Sequence, residues 1–308
     1  MGDKAINFER IAIIGIGLIG SSVARAIVRA DSSVTLVMAD TNEAVLAEAR
    51  SLNLANEYTA SPAEAVGDAD LIILAVPVGA MAAVGGEIAP FLKAGAIVTD
   101  VGSVKASVLK ALQPLLPDTV HLIPGHPVSG TEESGPGAGF ASLFDDRWCI
   151  LTPPQGCDEA ALERLSSFWE ALGSRVEVMT GEHHDRVLAI TSHVPHLIAY
   201  NIVGTASDLE EVTRSEVIKY SAGGFRDFTR IAASDPTMWR DVFLNNKDAV
   251  LEMLGRFSED ITALQRSIRW GDGDALFELF TRTRDIRRRI IDEGQDEAEA
   301  DFGRPREE

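Results

Sequence analysis

The sequence predicts an α/β fold, a doubly wound parallel sheet followed by an all-helical domain, and three observations lead there. Short apolar runs, of the kind buried on both faces of a parallel sheet, alternate with helical stretches up to about residue 180. A glycine-rich turn, Gly15-Ile16-Gly17-Leu18-Ile19-Gly20, joins the first run to the first helix. From Gly181 onward strand-like runs stop, and apolar residues recur at helical spacing as far as residue 292.

The first element is the strand Ile11 to Ile14, and the turn after it carries GxGxxG in the strand-to-helix setting that a Rossmann-type dinucleotide site requires. Gly15 allows the tight turn, Gly17 lets the backbone approach a pyrophosphate, and Gly20 lets the helix pack on the strand. Leu18 and Ile19 open that helix, whose free N–H groups face the phosphates. The second strand, Val34 to Ala39, ends in Asp40, where a carboxylate accepts hydrogen bonds from the ribose hydroxyls of NAD and repels the 2′-phosphate of NADP. Thr41 is expected to cap the next helix, through Glu43, Leu46 and Arg50, and Ser61-Pro62-Ala63-Glu64 starts another. Strands follow at Leu71 to Val76 and Ala96 to Asp100, with a helix ending near Pro90 between them. Because open parallel sheets bind ligands at the carboxyl ends of their strands, Pro77 and the loop Asp100 to Ser103 are expected to line the cofactor crevice. Strand Val120 to Ile123 then delivers a loop, Pro124 to Gly135, that presents His126. Strands Cys149 to Thr152 and Val176 to Met179, around a helix from about Asp158 to Leu172, complete a domain spanning 1–180.

In the helical domain, 181–292, Glu182 to about Ala206 reads as one long helix bent at Pro195. Tyr220 to Gly224 reads as a loop, and Asp235-Pro236-Thr237 restarts the helices. Apolar stripes, Val250 to Ile268 and Leu276 to Ile290, must be buried, and a second copy of the chain is the expected cover: a homodimer. The tail 293–308 is acidic and is expected to be disordered.

Composition sets bounds on partners. The net charge of −19 argues against nucleic acid or an anionic membrane, and the arginines between Arg282 and Arg289 read as a solvated helix face. No apolar run approaches the roughly 20 residues of a membrane helix, so a soluble protein is expected. Cys149 and Cys157 are too few and too far apart for a zinc site and fit a reducing cytoplasm, and His193 and His196 have no further ligand at motif spacing. No metal is expected.

Three segments carry a resemblance. Gly125-His126-Pro127-Val128-Ser129-Gly130-Thr131-Glu132, Ser192-His193-Val194-Pro195-His196, and Gly223-Gly224-Phe225-Arg226-Asp227-Phe228-Thr229-Arg230 followed by Met238-Trp239 resemble the prephenate and arogenate dehydrogenases of tyrosine biosynthesis. The resemblance spans residues 8 to about 290. It implies NAD-dependent oxidative decarboxylation, with His126 as the base that takes a ring hydroxyl's proton and Ser103 bonded to that histidine or to the hydroxyl. It implies that Arg230 binds a substrate carboxylate, with His196 and Ser192 on the substrate side. Glu132 and Asp227 would couple the His126 loop to the arginine segment, and Trp239 matches an aromatic near the partner subunit. Two other readings share the fold. A hydroxyacid dehydrogenase would place a catalytic lysine where this chain has His183-His184-Asp185-Arg186, and a non-catalytic dinucleotide sensor would have no use for His126, Ser103 and Arg230 together.

Overall fold

The computed structural model describes residues 6–213 and 223–292. Its centre is a six-stranded parallel sheet in the order β3-β2-β1-β4-β5-β6. The strands are β1 (Arg10–Ile14), β2 (Thr35–Ala39), β3 (Glu57–Thr59), β4 (Leu71–Leu74), β5 (Ile97–Asp100) and β6 (His121–Leu122). Helices α1 (Leu18–Ala30), α2 (Glu43–Ser51), α3 (Pro62–Ala65), α4 (Met81–Ile88) and α5 (Ala106–Leu112) make the crossovers.

Alternation along each strand builds two cores. Ile11, Ile13, Leu36, Met38 and Ile73 point to one face with Val23 and Ile27 of α1; Ala12, Ile14, Val37, Ile72 and Leu74 point to the other with Met81, Ile88 and Val108. The order reverses between β1 and β4, whose ends Ile14 and Leu74 are paired, and Leu74 pairs in turn with Asp100. Ligand-binding loops therefore emerge side by side from β1, β4 and β5. Strand β3 escaped the sequence reading because its three residues alternate weakly at the sheet's edge. Thr41 does not cap α2: Asn42 does, accepting from the Ala44 N–H at 3.0 Å, while Asp40 Oδ1 takes the N–H of Asn42.

A second, three-stranded sheet holds β7 (Gly125–Pro127), β8 (Trp148–Leu151) and β9 (Arg175–Val178), with α6 (Glu159–Ala171) before β9. This corrects the expectation of a loop around His126. Residue for residue, Gly125, His126 and Pro127 pair antiparallel with Leu151, Ile150 and Cys149. Pro127 is tolerated because β7 is an edge strand, where a missing N–H costs no ladder bond.

The long helix expected from Glu182 is three segments. α7 (Gly181–Leu188) runs into a π-helical turn, Ala189–His193, and then α8 (Val194–Thr213). Pro195 lacks the N–H that an α-helical register would direct to Thr191, and the wider turn just before it absorbs the mismatch. By length and composition the run Gly181–Asp208 is apolar enough to cross a membrane, an exception to the sequence reading. Here it carries the buried polar residues His184, Asp185 and His193.

α9 (Gly223–Thr229) is followed by a 3-10 turn, Arg230–Ala233, and by α10 (Pro236–Asn245), which Asp235 caps through the Met238 N–H at 2.7 Å. Gly223 and Gly224 are thus helical, while Tyr220 to Ala222 and the tail 293–308 lie outside the described residues. The chain divides into two compact units, Met1–Val250 and Leu251–Glu308. Helices α11 (Lys247–Trp270) and α12 (Gly273–Asp292) supply the second. Their stripes are not buried in the single chain: Leu251, Ile268, Trp270, Phe277 and Phe280 are exposed, Trp270 and Phe277 by about three quarters.

Candidate active site

The glycine turn has the shape a dinucleotide needs. Gly15 lies at φ +98° and packs so closely on β4 that a Cβ would strike the Ala75 carbonyl, and a Cβ on Gly20 would strike the carbonyl of Gly15. Around Gly17 there is nothing within 4 Å of a Cβ position, which leaves room for a pyrophosphate. No side chain caps α1, so its first N–H groups face that space without a protein acceptor from a cap. Leu18 is buried and Ile19 packs on the core, so these two offer backbone only. Asp40 follows the end of β2 and accepts the Ile16 N–H at 3.0 Å, bracing the turn. Exposed Pro77 opens the turn Val78–Ala80, where the N–H of Gly79 binds Asp241 Oδ2 at 3.2 Å.

His126 is 6% exposed. Burial first, then the nearby charges of His184, Lys105 and His193, holds its imidazole well below the usual pKa and hence neutral. Its Nδ1 lies 2.8 Å from His184 Nε2, and His184 Nδ1 lies 2.8 Å from Asp185 Oδ1. Asp185 also accepts the N–H groups of Lys105 and Ala106, at 2.7 and 2.9 Å, and so caps α5. Ser103 is therefore not the cap of that helix, and its hydroxyl makes no hydrogen bond among the described residues.

Lys105 is fully buried beside Asp100, with which it forms an ion pair, and it donates to the Gly125 carbonyl at 2.6 Å. Burial pushes the Lys105 pKa down and the Asp100 pKa up. Asp100 in turn takes the N–H groups of Gly102 and Gly125. The residue before His126 is thus fastened to the end of β5.

From the helical segments, His193 is buried and accepts from Asn246 Nδ2 at 3.1 Å, while the same amide donates to the Asp185 carbonyl. Burial lowers the His193 pKa to about 4. His196 stacks on Trp239 with ring centres 3.7 Å apart, and its Nδ1 donates to the Ser192 carbonyl at 2.8 Å. Trp239, buried here, packs on its own chain's His196 and Phe243. Arg230 Nη1 binds Glu132 Oε2 at 3.0 Å, joining the 3-10 turn to the loop after β7. Asp227 is exposed on α9. His193 acts electrostatically on His126, and Arg230 on His196, so one unit gathers these groups.

Four polar residues of this cluster escaped the sequence reading: Lys105, His184, Asp185 and Asn246. A lysine followed by apolar residues and an adjacent His-Asp pair were the only signals, and neither reveals its partner 58 to 80 residues away.

Comparison with known proteins agrees with this geometry. Residues 23–178 match the family model described as prephenate dehydrogenase, nucleotide-binding domain, and residues 180–282 match prephenate dehydrogenase, dimerization domain. The chain is 46% identical to the cyclohexadienyl dehydrogenase of Zymomonas mobilis, over 91% of this chain and 95% of that one. It is 32% identical to the prephenate dehydrogenase of Bacillus subtilis, over 91% of this chain and 75% of that one. The crystal structure of A. aeolicus prephenate dehydrogenase in complex with hydroxyphenyl propionate and NAD+ superposes with a TM-score of 0.85 at 32% identity, covering 92% of this chain and 98% of that one. With both of its halves matched and relatives above 30% identity spanning nine tenths of it, the chain belongs to the prephenate dehydrogenase family.

Proposed function

We propose that this dehydrogenase oxidatively decarboxylates prephenate to 4-hydroxyphenylpyruvate with NAD as oxidant. The observation that carries the reading is that a buried neutral imidazole, His126, stands on the strand whose following loop Arg230 grips through Glu132, with Gly125 beside it fastened to the carboxyl end of β5. Bound NAD supplies the hydride acceptor, held by the Gly15 to Gly20 turn and by Asp40. His126 takes the ring hydroxyl's proton as the carbonyl forms. Arg230 exchanges Glu132 for a substrate carboxylate, a planar two-point contact that a lysine cannot copy. His196 and Ser192 border the substrate, with Trp239 holding the His196 ring by stacking. Ser103, three residues after Asp100, would bond the hydroxyl or His126 once substrate is bound.

A second substrate, arogenate, has the support of the relative named as a cyclohexadienyl dehydrogenase. It differs at the side chain, an amino acid in place of a keto acid, far from the ring hydroxyl that His126 addresses. NADH formation from prephenate and from arogenate, at equal concentration, tests both. Turnover of prephenate at the higher kcat/KM supports the reading; turnover of arogenate alone replaces it. We further propose that a homodimer forms through the exposed stripes of α11 and α12, in keeping with the matched dimerization domain.

A further inference from the structure

We infer that His184 and Asp185 are positioning residues: through one fixed chain of hydrogen bonds they keep hydrogen on Nδ1 of His126 and present its bare Nε2 to the substrate. The inference rests on the reaction proposed above for its chemistry, and on the hydrogen-bond geometry of two imidazoles kept neutral by burial for the proton positions.

The order of donors follows from the far end. Asp185 receives two backbone N–H groups, those of Lys105 and Ala106, whose direction is fixed by the start of α5. A carboxylate so occupied offers only lone pairs, so at its contact with His184 Nδ1 the ring nitrogen must donate. Neutral His184 then has an unprotonated Nε2, and this nitrogen sits 2.8 Å from His126 Nδ1. Two lone pairs cannot share that distance, so His126 holds its hydrogen on Nδ1. Its Nε2 is left unprotonated.

Lys105 fastens both ends of this chain. Its backbone N–H grips Asp185, while its ammonium grips the carbonyl of Gly125, the residue before His126. Asn246 holds the Asp185 backbone from α10's end. The charged and titratable groups that face His126 are therefore Lys105 and Asp100 from the β5 side, Cys149 from β8, His184 and Asp185 from α7, and His193 from the π-helical turn.

In the reaction, the substrate's O–H bond breaks toward His126 Nε2 and its electron pair forms the carbonyl, while the ring hydrogen leaves as hydride for NAD, the oxidant of the proposed reaction. The carboxylate then departs as carbon dioxide. Its bonding pair makes the ring aromatic and returns negative charge to the oxygen, which takes the proton back from Nε2. Between these steps His126 is an imidazolium whose Nδ1–H stays bonded to His184 Nε2, while the Asp185 carboxylate, still ionised, holds His184 in that tautomer and stabilises the charge.

Two measurements decide the matter. Long-range nitrogen–proton correlation spectra of the ¹⁵N-labelled wild-type protein near neutral pH should show hydrogen on Nδ1 and none on Nε2 of His126, identified by its absence in His126→Asn. Hydrogen on Nε2 overturns the inference whatever the enzyme's substrate. In steady-state kinetics, His184→Phe should lower kcat by about 10²- to 10³-fold, leave KM and NAD affinity within about twofold, and shift the acid limb of kcat/KM. His184→Gln, whose amide oxygen can accept from Nδ1, should recover kcat to within about tenfold of wild type. A His184→Phe enzyme with kcat within about threefold of wild type overturns the inference, as does parallel loss of kcat, KM and NAD affinity that glutamine does not rescue. Should His184→Phe fail to fold, the wild-type spectrum and the glutamine variant still decide. If the wild type reduces NAD with neither prephenate nor arogenate, it is the proposed function that fails, and the spectrum alone judges the hydrogen positions.

Discussion

Burial makes the His126 imidazole a base that stays unprotonated well into mildly acidic solution. Because its pKa is held well below the usual histidine value of 6.5, the rate should remain level as pH falls through 6.5 and drop only at lower pH, where the ring finally protonates. His126→Asn should lose that acid limb together with about 10²- to 10⁴-fold in turnover, while NAD affinity stays unchanged. A pH profile of kcat/KM for both proteins checks this, and a wild-type limb centred at or above 6.5 would count against it. Arg230 belongs to the substrate side of the same account. Arg230→Gln should raise KM by roughly 10- to 1000-fold, the loss of a charge-assisted bidentate pair of ~1.5 to 4 kcal/mol, and Arg230→Lys should recover only part. A KM within about twofold of wild type would transfer the clamp to another residue, Arg226 first.

Among the elements, the glycine turn has one side chain, Asp40, that braces local structure and is proposed to set cofactor choice. Asp40 braces the Ile16 N–H and is the residue proposed to meet the ribose, so Asp40→Ser should weaken NAD by loosening the turn as well as by losing the proposed ribose contact. At the same time it relieves repulsion of a 2′-phosphate, and the NAD to NADP preference should narrow by on the order of 100-fold. Equal use of both cofactors by the wild type would contradict the assignment. This turn was legible in the sequence because its determinants are local: each glycine answers to a neighbour on β1, α1 or β4. The strand at His126 was not, since β7 is made by pairing with Trp148 to Leu151, and two prolines disguise it as a loop. Likewise the π-helical turn before Pro195 is a compromise between helix and proline that hydropathy does not record. His126, Arg230 and Glu132 were readable from motif resemblance, whereas the partners that orient His126 are pairings across folded distance.

For the whole molecule, buried neutral histidines set a cost at acid pH. The sign follows from His193, whose folded pKa of about 4 lies below the ordinary histidine value of 6.5. Below pH 6.5 the unfolded chain gains a proton that the folded chain refuses, so stability falls with pH until the folded pKa is passed at about 4. That one residue contributes a loss on the order of 3 kcal/mol across the window. Melting temperature should therefore decline from pH 6.5 toward 4 in wild type, and decline less steeply in a folded His193→Gln variant. A flat wild-type profile would contradict the buried neutral state. The proposed homodimer is tested on the other compact unit, where Phe277 and Phe280 are exposed on α12. If the chain forms the proposed dimer, Phe277→Asp with Phe280→Asp should convert it to a monomer in analytical ultracentrifugation; an unaltered dimer would place the interface elsewhere, and a monomeric wild type would refute the proposal.

The central claim joins a family, a substrate and a base, and a single comparison reaches all of them: NADH formation from prephenate by the wild type and by His126→Asn, side by side at neutral pH. The account predicts sustained turnover by the wild type and a loss of about 10²- to 10⁴-fold in the variant, with NAD binding intact in both. No NADH from the wild type, or equal rates from the two proteins, would contradict it.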